Sequence, residues 1–145
     1  MENIEISLMS LNDLETIKDV LTSEFDDFWN YNILKDELQN ENSKYLVVKH
    51  DTEIIGFAGI KIIYPEAEIM NIVVKKMYRN KKIGTLLLER IISLCKNFNL
   101  TSIYLEVNES NKNAIHLYEI FDFKVIGNRK KYYKDSNAIL MSKKI

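Results

Sequence analysis

One cysteine, one proline, one tryptophan, two histidines and four glycines are all that the 145 residues contain of those types. A lone Cys95 excludes an internal disulfide and sets a reducing, cytoplasmic location as the expectation. His50 and His116 stand at no metal-ligand spacing, so no metal site is expected. No run approaches the ~20 apolar residues of a membrane span. The segment Met1-Glu2-Asn3-Ile4-Glu5 is acidic and lacks an apolar stretch of signal-peptide length, so neither secretion nor a membrane partner is expected. Charge of one sign is also missing: a net charge of -1 argues against general nucleic-acid affinity, which needs a strongly basic face. Internal repeats and low-complexity segments are absent as well.

What is present is ordinary for a globular chain, with 46% hydrophobic and 28% charged residues. The length suits one core, hence a single domain over residues 1–145. Residues 3–9 alternate apolar with polar and predict a strand. Ser10 and Asp13 resemble a capping box, after which Leu11, Leu14, Ile17, Val20 and Leu21 fall at helical spacing. Asp26-Asp27-Phe28-Trp29-Asn30 reads as a bent linker, and Ile33 to Leu38 as a second short helix. Residues 44–74 predict an antiparallel meander of three strands, with Gly56 and Gly59 interrupting the second and Pro65 in a turn. Ile83, Leu87, Ile91, Leu94 and Phe98 form the apolar stripe of the clearest helix, flanked by Leu86 and Cys95. A strand follows over Thr101 to Val107, with Tyr104 and Glu106 on its polar face. A short helix carries Ala114, Ile115, Tyr118 and Phe121. Two closing strands, Phe123 to Arg129 and Ala138 to Ser142, join through Tyr132-Tyr133. The sum is a mixed sheet with helices on its faces.

The passage from the strand Ile72-Val73-Val74 through Arg79-Asn80-Lys81-Lys82-Ile83-Gly84 into a helix combines unpaired backbone N–H groups with the positive end of a helix dipole. With Lys75, Arg79, Lys81 and Lys82 around it, the turn suits an anion such as a pyrophosphate. Taken alone, it is equally a solvated basic turn.

Val74 to Gly84 as a phosphate loop, followed by a second block from Asn111 to Phe123, resembles the GNAT family of N-acetyltransferases. Tyr104-Leu105-Glu106-Val107, Ser110-Asn111, Ala114-Ile115-x-Leu117-Tyr118-Glu119-x-x-x-Phe123 and Arg129-x-x-Tyr132-Tyr133 resemble the RimI-type ribosomal-protein-alanine branch. The resemblance runs from about Ile4 to Met141. It implies an α/β (α+β) acyl-CoA N-acyltransferase fold, a mixed and mostly antiparallel sheet of about seven strands with about four helices on its faces. It also implies acetyl-CoA as co-substrate, held by Ile72, Val73 and Val74 along its pantetheine arm and by Asn80, Lys81, Lys82, Ile83, Gly84 and Thr85, with Arg79, at its pyrophosphate. Asn111 would bond near the thioester, Glu106 would be the general base and Tyr118 the general acid. One position departs from the family pattern Arg/Gln-x-x-Gly-x-Gly/Ala. Arg79 and Gly84 are kept, but Lys82 stands where the first glycine belongs, a place that favours close approach and unusual torsions.

The implied chemistry is acetyl transfer to an amine. A protein α-amino group, with pKa about 7.7–8.0, is partly neutral at physiological pH, whereas a lysine near 10.4 is almost wholly charged. An N-terminal acceptor, such as that of a ribosomal protein, therefore asks least of the base. A glutamate of ordinary pKa matches either poorly, so Glu106 is expected to need burial or a water relay. Backbone N–H groups near Val73 are candidate oxyanion donors. Tyr118 is too weak an acid for full proton transfer to a thiolate and suits a hydrogen bond to the developing charge. Without the resemblance, Glu106 reads as an exposed strand charge, Tyr118 as core and Cys95 as a buried thiol with no part in direct transfer. Trp29 with Asp26 and Asp27, and Tyr132 further on, are candidates for the acceptor groove; a staple beside a solvated turn explains Trp29 and the acids equally well. A small amine or a lysine side chain is the competing acceptor, and a non-catalytic acyl-CoA or partner-binding module the competing class. The expected assembly is a monomer or weak dimer.

Overall fold

The computed structural model describes residues 2–26 and 29–145, so Asp27 and Phe28 of the expected linker lie outside the described residues. Seven strands form one sheet: β1 (Ile4–Leu8), β2 (Ser43–His50), β3 (Glu53–Ile63), β4 (Glu66–Val74), β5 (Ser102–Asn108), β6 (Lys124–Tyr133) and β7 (Ser136–Lys144), in the spatial order β1-β2-β3-β4-β5-β7-β6. Four α-helices cover its faces: α1 (Leu11–Ile17), α2 (Tyr31–Gln39), α3 (Ile83–Asn97) and α4 (Lys112–Ile120). Every pairing is antiparallel except β4 with β5. The mixed, mostly antiparallel sheet with four helices is the architecture expected.

Two apolar clusters lie on opposite faces of the sheet. One gathers Leu87, Leu88, Ile91, Ile103, Leu105 and Phe123 under α3 and α4, and the other Leu14, Leu21, Phe25, Leu34, Val47 and Phe57 under α1 and α2. The face of α3 that is buried includes Leu88, Ile92 and Cys95 and leaves Phe98 42% exposed, so the stripe sits further round the helix than the sequence spacing suggested.

The capping box at α1 is present in both directions: Asp13 N donates to Ser10 Oγ at 3.0 Å and Ser10 N to Asp13 Oδ2 at 2.9 Å. The α-helix ends at Ile17, however, and the chain continues through a 3₁₀ turn, Lys18–Val20, and a wide π turn, Leu21–Phe25. Tightening and then widening the coil brings Leu21 and Phe25 into the cluster that holds Leu14 and Ile17, while Leu11 is left 41% exposed. Tyr132 and Tyr133 belong to the end of β6, not to a connection, and the chain reverses at Lys134–Asp135.

Neither Gly56 nor Gly59 interrupts β3. A Cβ on Gly59 would stand 2.1 Å from Tyr45 Cζ, so the missing side chain is what lets the Tyr45 ring lie across the strand.

The β4/β5 junction is where the fold opens. Their parallel ladder covers only Glu66↔Ser102, Ala67↔Ile103 and Glu68↔Tyr104. On its other side, Gly59 pairs with Asn71 and Ile60 with Ile69, which leaves Met70 as an extra residue in β4. Such a bulge bends the strand that carries it. Beyond Glu68, β4 departs with β3 while β5 continues along β7, and a cleft opens between them.

Candidate active site

A cavity of about 450 Å³ occupies this cleft. Ile72 and Val73 line it from β4, Glu106 from β5, and Asn111 and Tyr118 from α4. Trp29, Asp26 and Tyr132 complete its outer rim. Two residues expected to act together, Glu106 and Tyr118, thus meet in one space from different elements. Along this side β4 has no β5 partner from Ile69 onward. A strand edge of that kind offers backbone donors and acceptors to an extended ligand.

A second cavity, of about 400 Å³, continues past the end of β4. It is lined by Val74, Arg79, Asn80, Lys82, Gly84 and Thr85, with Ile83 at its base. Lys81 lines neither cavity. The N-terminus of α3 borders this space, and it differs from the other α-helix starts. Ser10, Asn30 and Asn111 each accept a backbone N–H with the side chain, whereas Lys82 makes no side-chain cap. The first-turn N–H groups of α3 are therefore left to a ligand, with the helix dipole behind them.

The basic turn is divided in its duties. Lys75, 14% exposed at its side chain, pairs with Glu53 at 2.7 Å and Glu24 at 3.9 Å, so it belongs to the fold and not to the anion site suggested by the sequence. Arg79 donates through Nη2 to Phe25 O at 3.0 Å and through Nε to Val74 O at 3.2 Å. It ties the π turn to the end of β4 and keeps further donors toward the cavity. Lys82 takes φ 64 and ψ 23, the left-handed conformation. Asn80 is left-handed too, at φ 63. Where the family pattern has glycine, a lysine stands in the left-handed conformation that glycine adopts at least cost.

Asn111 is the N-cap of α4, its Oδ1 accepting from Ala114 N at 3.2 Å, which leaves its amide N–H groups for the cavity. The loop before it is fixed by Asn108, whose Oδ1 accepts from Ser110 N, Ser110 Oγ and Ser136 Oγ at 2.9, 2.8 and 2.7 Å. Tyr118 is buried and its ring packs on Phe123 at 5.7 Å between centroids.

Glu106 is only partly buried, its side chain 23% exposed, and it is met by a cation: Arg129 Nη2 stands 2.9 Å from Oε1. The same guanidinium lies 4.9 Å over the Tyr132 ring, so Tyr132, Arg129 and Glu106 form one connected row. Burial pushes the carboxyl of Glu68, two residues before the bulge, above its ordinary range, and the charge of Glu106 raises it further. Glu68 lines the same cavity, as does Asn71. The sequence reading missed both, because their placement depends on the β4/β5 register and on the bulge. Arg129 had been noted only as part of a motif. Burial also drives the Cys95 thiol up to about 11, in keeping with a structural role. Among the described residues no group of three or more His, Cys, Asp or Glu could hold a metal, and no helix is long and apolar enough to cross a membrane.

Residues 7–123 match the family described as Acetyltransferase (GNAT) family. A Bacillus subtilis relative is 34% identical over 136 residues, 92% of this chain and 90% of its own length. A Haemophilus influenzae protein named [Ribosomal protein bS18]-alanine N-acetyltransferase is 34% identical over 121 residues, 79% of this chain and 80% of that one. The crystal structure of the ribosomal-protein-S18-alanine N-acetyltransferase from Escherichia coli superposes with a TM-score of 0.89 at 27% identity, covering 98% of this chain and 94% of that one. With a split sheet, an uncapped helix start at a basic turn and this breadth of likeness, the chain belongs to the GNAT family and is an acetyl-CoA-dependent N-acetyltransferase.

Proposed function

We propose that the acceptor is the N-terminal α-amine of a protein, in the manner of the ribosomal-protein-alanine enzymes it resembles. The observation that carries this reading is the single cleft in which Glu106 and Tyr118 face the free edge of β4, with acidic and aromatic residues on one side and the basic turn on the other. Acetyl-CoA supplies the activated acyl group: the amine forms a C–N bond, the C–S bond breaks, and the sulfur leaves with the electron pair. The residues of this chain bind and orient around that exchange. The first turn of α3 with Arg79 and Lys82 holds pyrophosphate, and the edge of Ile72 to Val74 pairs with the pantetheine amides. A backbone N–H near Val73 meets charge developing on the carbonyl oxygen, where a fixed donor is worth most. Glu106 takes a proton from nitrogen, and Tyr118 donates a hydrogen bond toward the sulfur. Direct transfer leaves nothing for Cys95 to do.

The cavity's charge supports an amine. Glu68, Glu106 and Asp26 line it, and of these Glu106 is paired with Arg129; a lining with this share of carboxylates favours a cationic ligand. An α-amine, being partly neutral near pH 7, needs less from these carboxylates than a lysine does. The likeness to enzymes named for alanine N-termini points the same way.

A panel of acceptors tests the reading: a peptide beginning with a free alanine, the same peptide N-terminally blocked, and polyamines, each with acetyl-CoA. Transfer to the free peptide alone is expected, and Glu106→Gln should lower its kcat by roughly ten- to a thousandfold with acetyl-CoA affinity kept. Transfer to polyamines alone would overturn it.

A further inference from the structure

Asn108 carries two sets of hydrogen-bonding groups, and the fold uses only one of them. Its Oδ1 accepts from Ser110 N, Ser110 Oγ and Ser136 Oγ. A backbone N–H can only donate, so the end of the amide that meets Ser110 N is the oxygen. Nδ2 therefore points away from that cluster, and its two N–H groups donate to nothing among the described residues. Asn108 lines the same cavity as Glu106. The two stand two residues apart on β5, where Ile103, Leu105 and Val107 are buried while Tyr104, Glu106 and Asn108 turn to the other face. Their Cα atoms are thus about 7 Å apart along one face of the strand. β4 pairs with β5 at neither position, so the cleft lies beside both.

We propose that the Asn108 amide binds the first carbonyl group of the acceptor chain and so selects a protein N-terminus over other amines. This rests on the reading of the acceptor as a protein α-amine and names the feature by which the site distinguishes one. In a polypeptide the terminal nitrogen is two bonds from its own carbonyl carbon, which places the carbonyl oxygen about 3 Å from it. With the nitrogen at Glu106, that oxygen falls toward the next residue on the same face, which is Asn108. A lysine ε-nitrogen has a flexible four-carbon stem in that place, and a polyamine has no carbonyl at all. Neither answers the two donors. A site built to hydrogen-bond a substrate group rejects analogues that lack the group, because its own polar atoms are then left unpaired.

The amide is aimed before the acceptor arrives. Three donors hold Oδ1 and fix the rotation of the side chain, with Ser136 reaching across from β7. The hairpin that brings Ser136 is also secured without Asn108, since Glu109 N donates to Asn137 O at 3.0 Å and Asn137 N to Glu109 Oε1 at 3.1 Å. Little side-chain freedom is then lost on binding.

Asn108→Asp separates the two halves of the amide. It keeps an oxygen for Ser110 and Ser136 and replaces both N–H groups with a second oxygen. The measurement is kcat/KM, at saturating acetyl-CoA, for a peptide with a free N-terminal alanine and for its analogue with sulfur in place of the first carbonyl oxygen. Sulfur is the weaker acceptor, so wild type should lose about three- to tenfold on the exchange, the worth of one neutral hydrogen bond. The oxygen peptide should fall by about ten- to a hundredfold in Asn108→Asp, where two oxygens would face each other, and severalfold in Asn108→Ala, in both chiefly through KM. The sulfur exchange should then cost either variant less than about twofold, because the two changes remove one contact. KM for acetyl-CoA should stay unchanged, and the ratio of peptide to polyamine turnover should fall with the peptide. Wild-type kcat/KM in Asn108→Asp, or an equal sulfur effect in wild type and both variants, would show that Asn108 only braces its loop. Either result would overturn the carbonyl contact while leaving the α-amine reading intact. A wild-type enzyme that acetylates polyamines and not the peptide would overturn both.

Discussion

Lys82 concentrates the residue-scale question, because one side chain serves two opposed ends. Its left-handed backbone, φ 64, costs a non-glycine residue about 1–2 kcal/mol. Glycine would avoid that cost but would lose about 0.5–1 kcal/mol in chain entropy on ordering. Lys82→Gly should therefore be neutral to about 1 kcal/mol stabilising, read by thermal denaturation. It should bind acetyl-CoA within about tenfold of wild type, since the helix N–H groups that cradle the anion remain. Complete loss of binding by calorimetry would mean that the ammonium, not the backbone, holds the pyrophosphate. The position was legible in the sequence as a departure from a pattern; what could not be read was that lysine takes a left-handed torsion, which glycine tolerates best. Lys75 gives the reverse case. Its charge counted toward the anion site on proximity in sequence, yet Glu53 and Glu24 claim it, because they approach from β3 and the π turn.

At the scale of elements, the periodicities carried most of the information. The alternation in β4 and β5 and the capping box of α1 report local preferences that tertiary packing endorses, and the stripe of α3 does so as far as Ile91, beyond which the buried face turns toward Ile92 and Cys95. They failed where one element is shaped by another. The bulge at Met70 exists because β4 must satisfy two neighbours of different register, and the 3₁₀ and π turns after Ile17 exist because Leu21 and Phe25 must reach a core that a regular helix would have missed. The site depends on such non-local fits. Gly59 makes room for the Tyr45 ring, and Tyr45 Oη in turn holds Asn71 by 3.1 Å. Gly59→Ala should thus destabilise by about 1–3 kcal/mol, the ordinary cost of overpacking, and raise the KM of the acceptor more than that of acetyl-CoA. Equal effects on the two constants would show that the β2–β4 contact carries stability alone.

Across the whole molecule the two ends of the cleft differ in charge. Arg79 and Lys82 face the end that suits a pyrophosphate, while Glu68, Glu106 and Asp26 face the end that suits an amine. A net charge of -1 conceals this separation, and no composition could disclose it. That the chain is an acetyltransferase was legible from a resemblance whose motif, with Glu106, Asn111 and Tyr118 among its residues, stands in linear order. The acceptor was not, because the cavity lining it would meet, Trp29, then Glu68 and Asn71 of β4, then Tyr132 of β6, comes from three separate segments that only the fold assembles.

The account's central claim is that this cleft delivers acetyl groups to a terminal α-amine. Its most direct test is a single peptide that carries both a free N-terminal alanine and an internal lysine, incubated with the enzyme and acetyl-CoA and read by fragment mass spectrometry. One acetyl group on the alanine nitrogen, with the lysine unmodified, is the predicted result; acetylation of the lysine side chain with the terminus left free would contradict it.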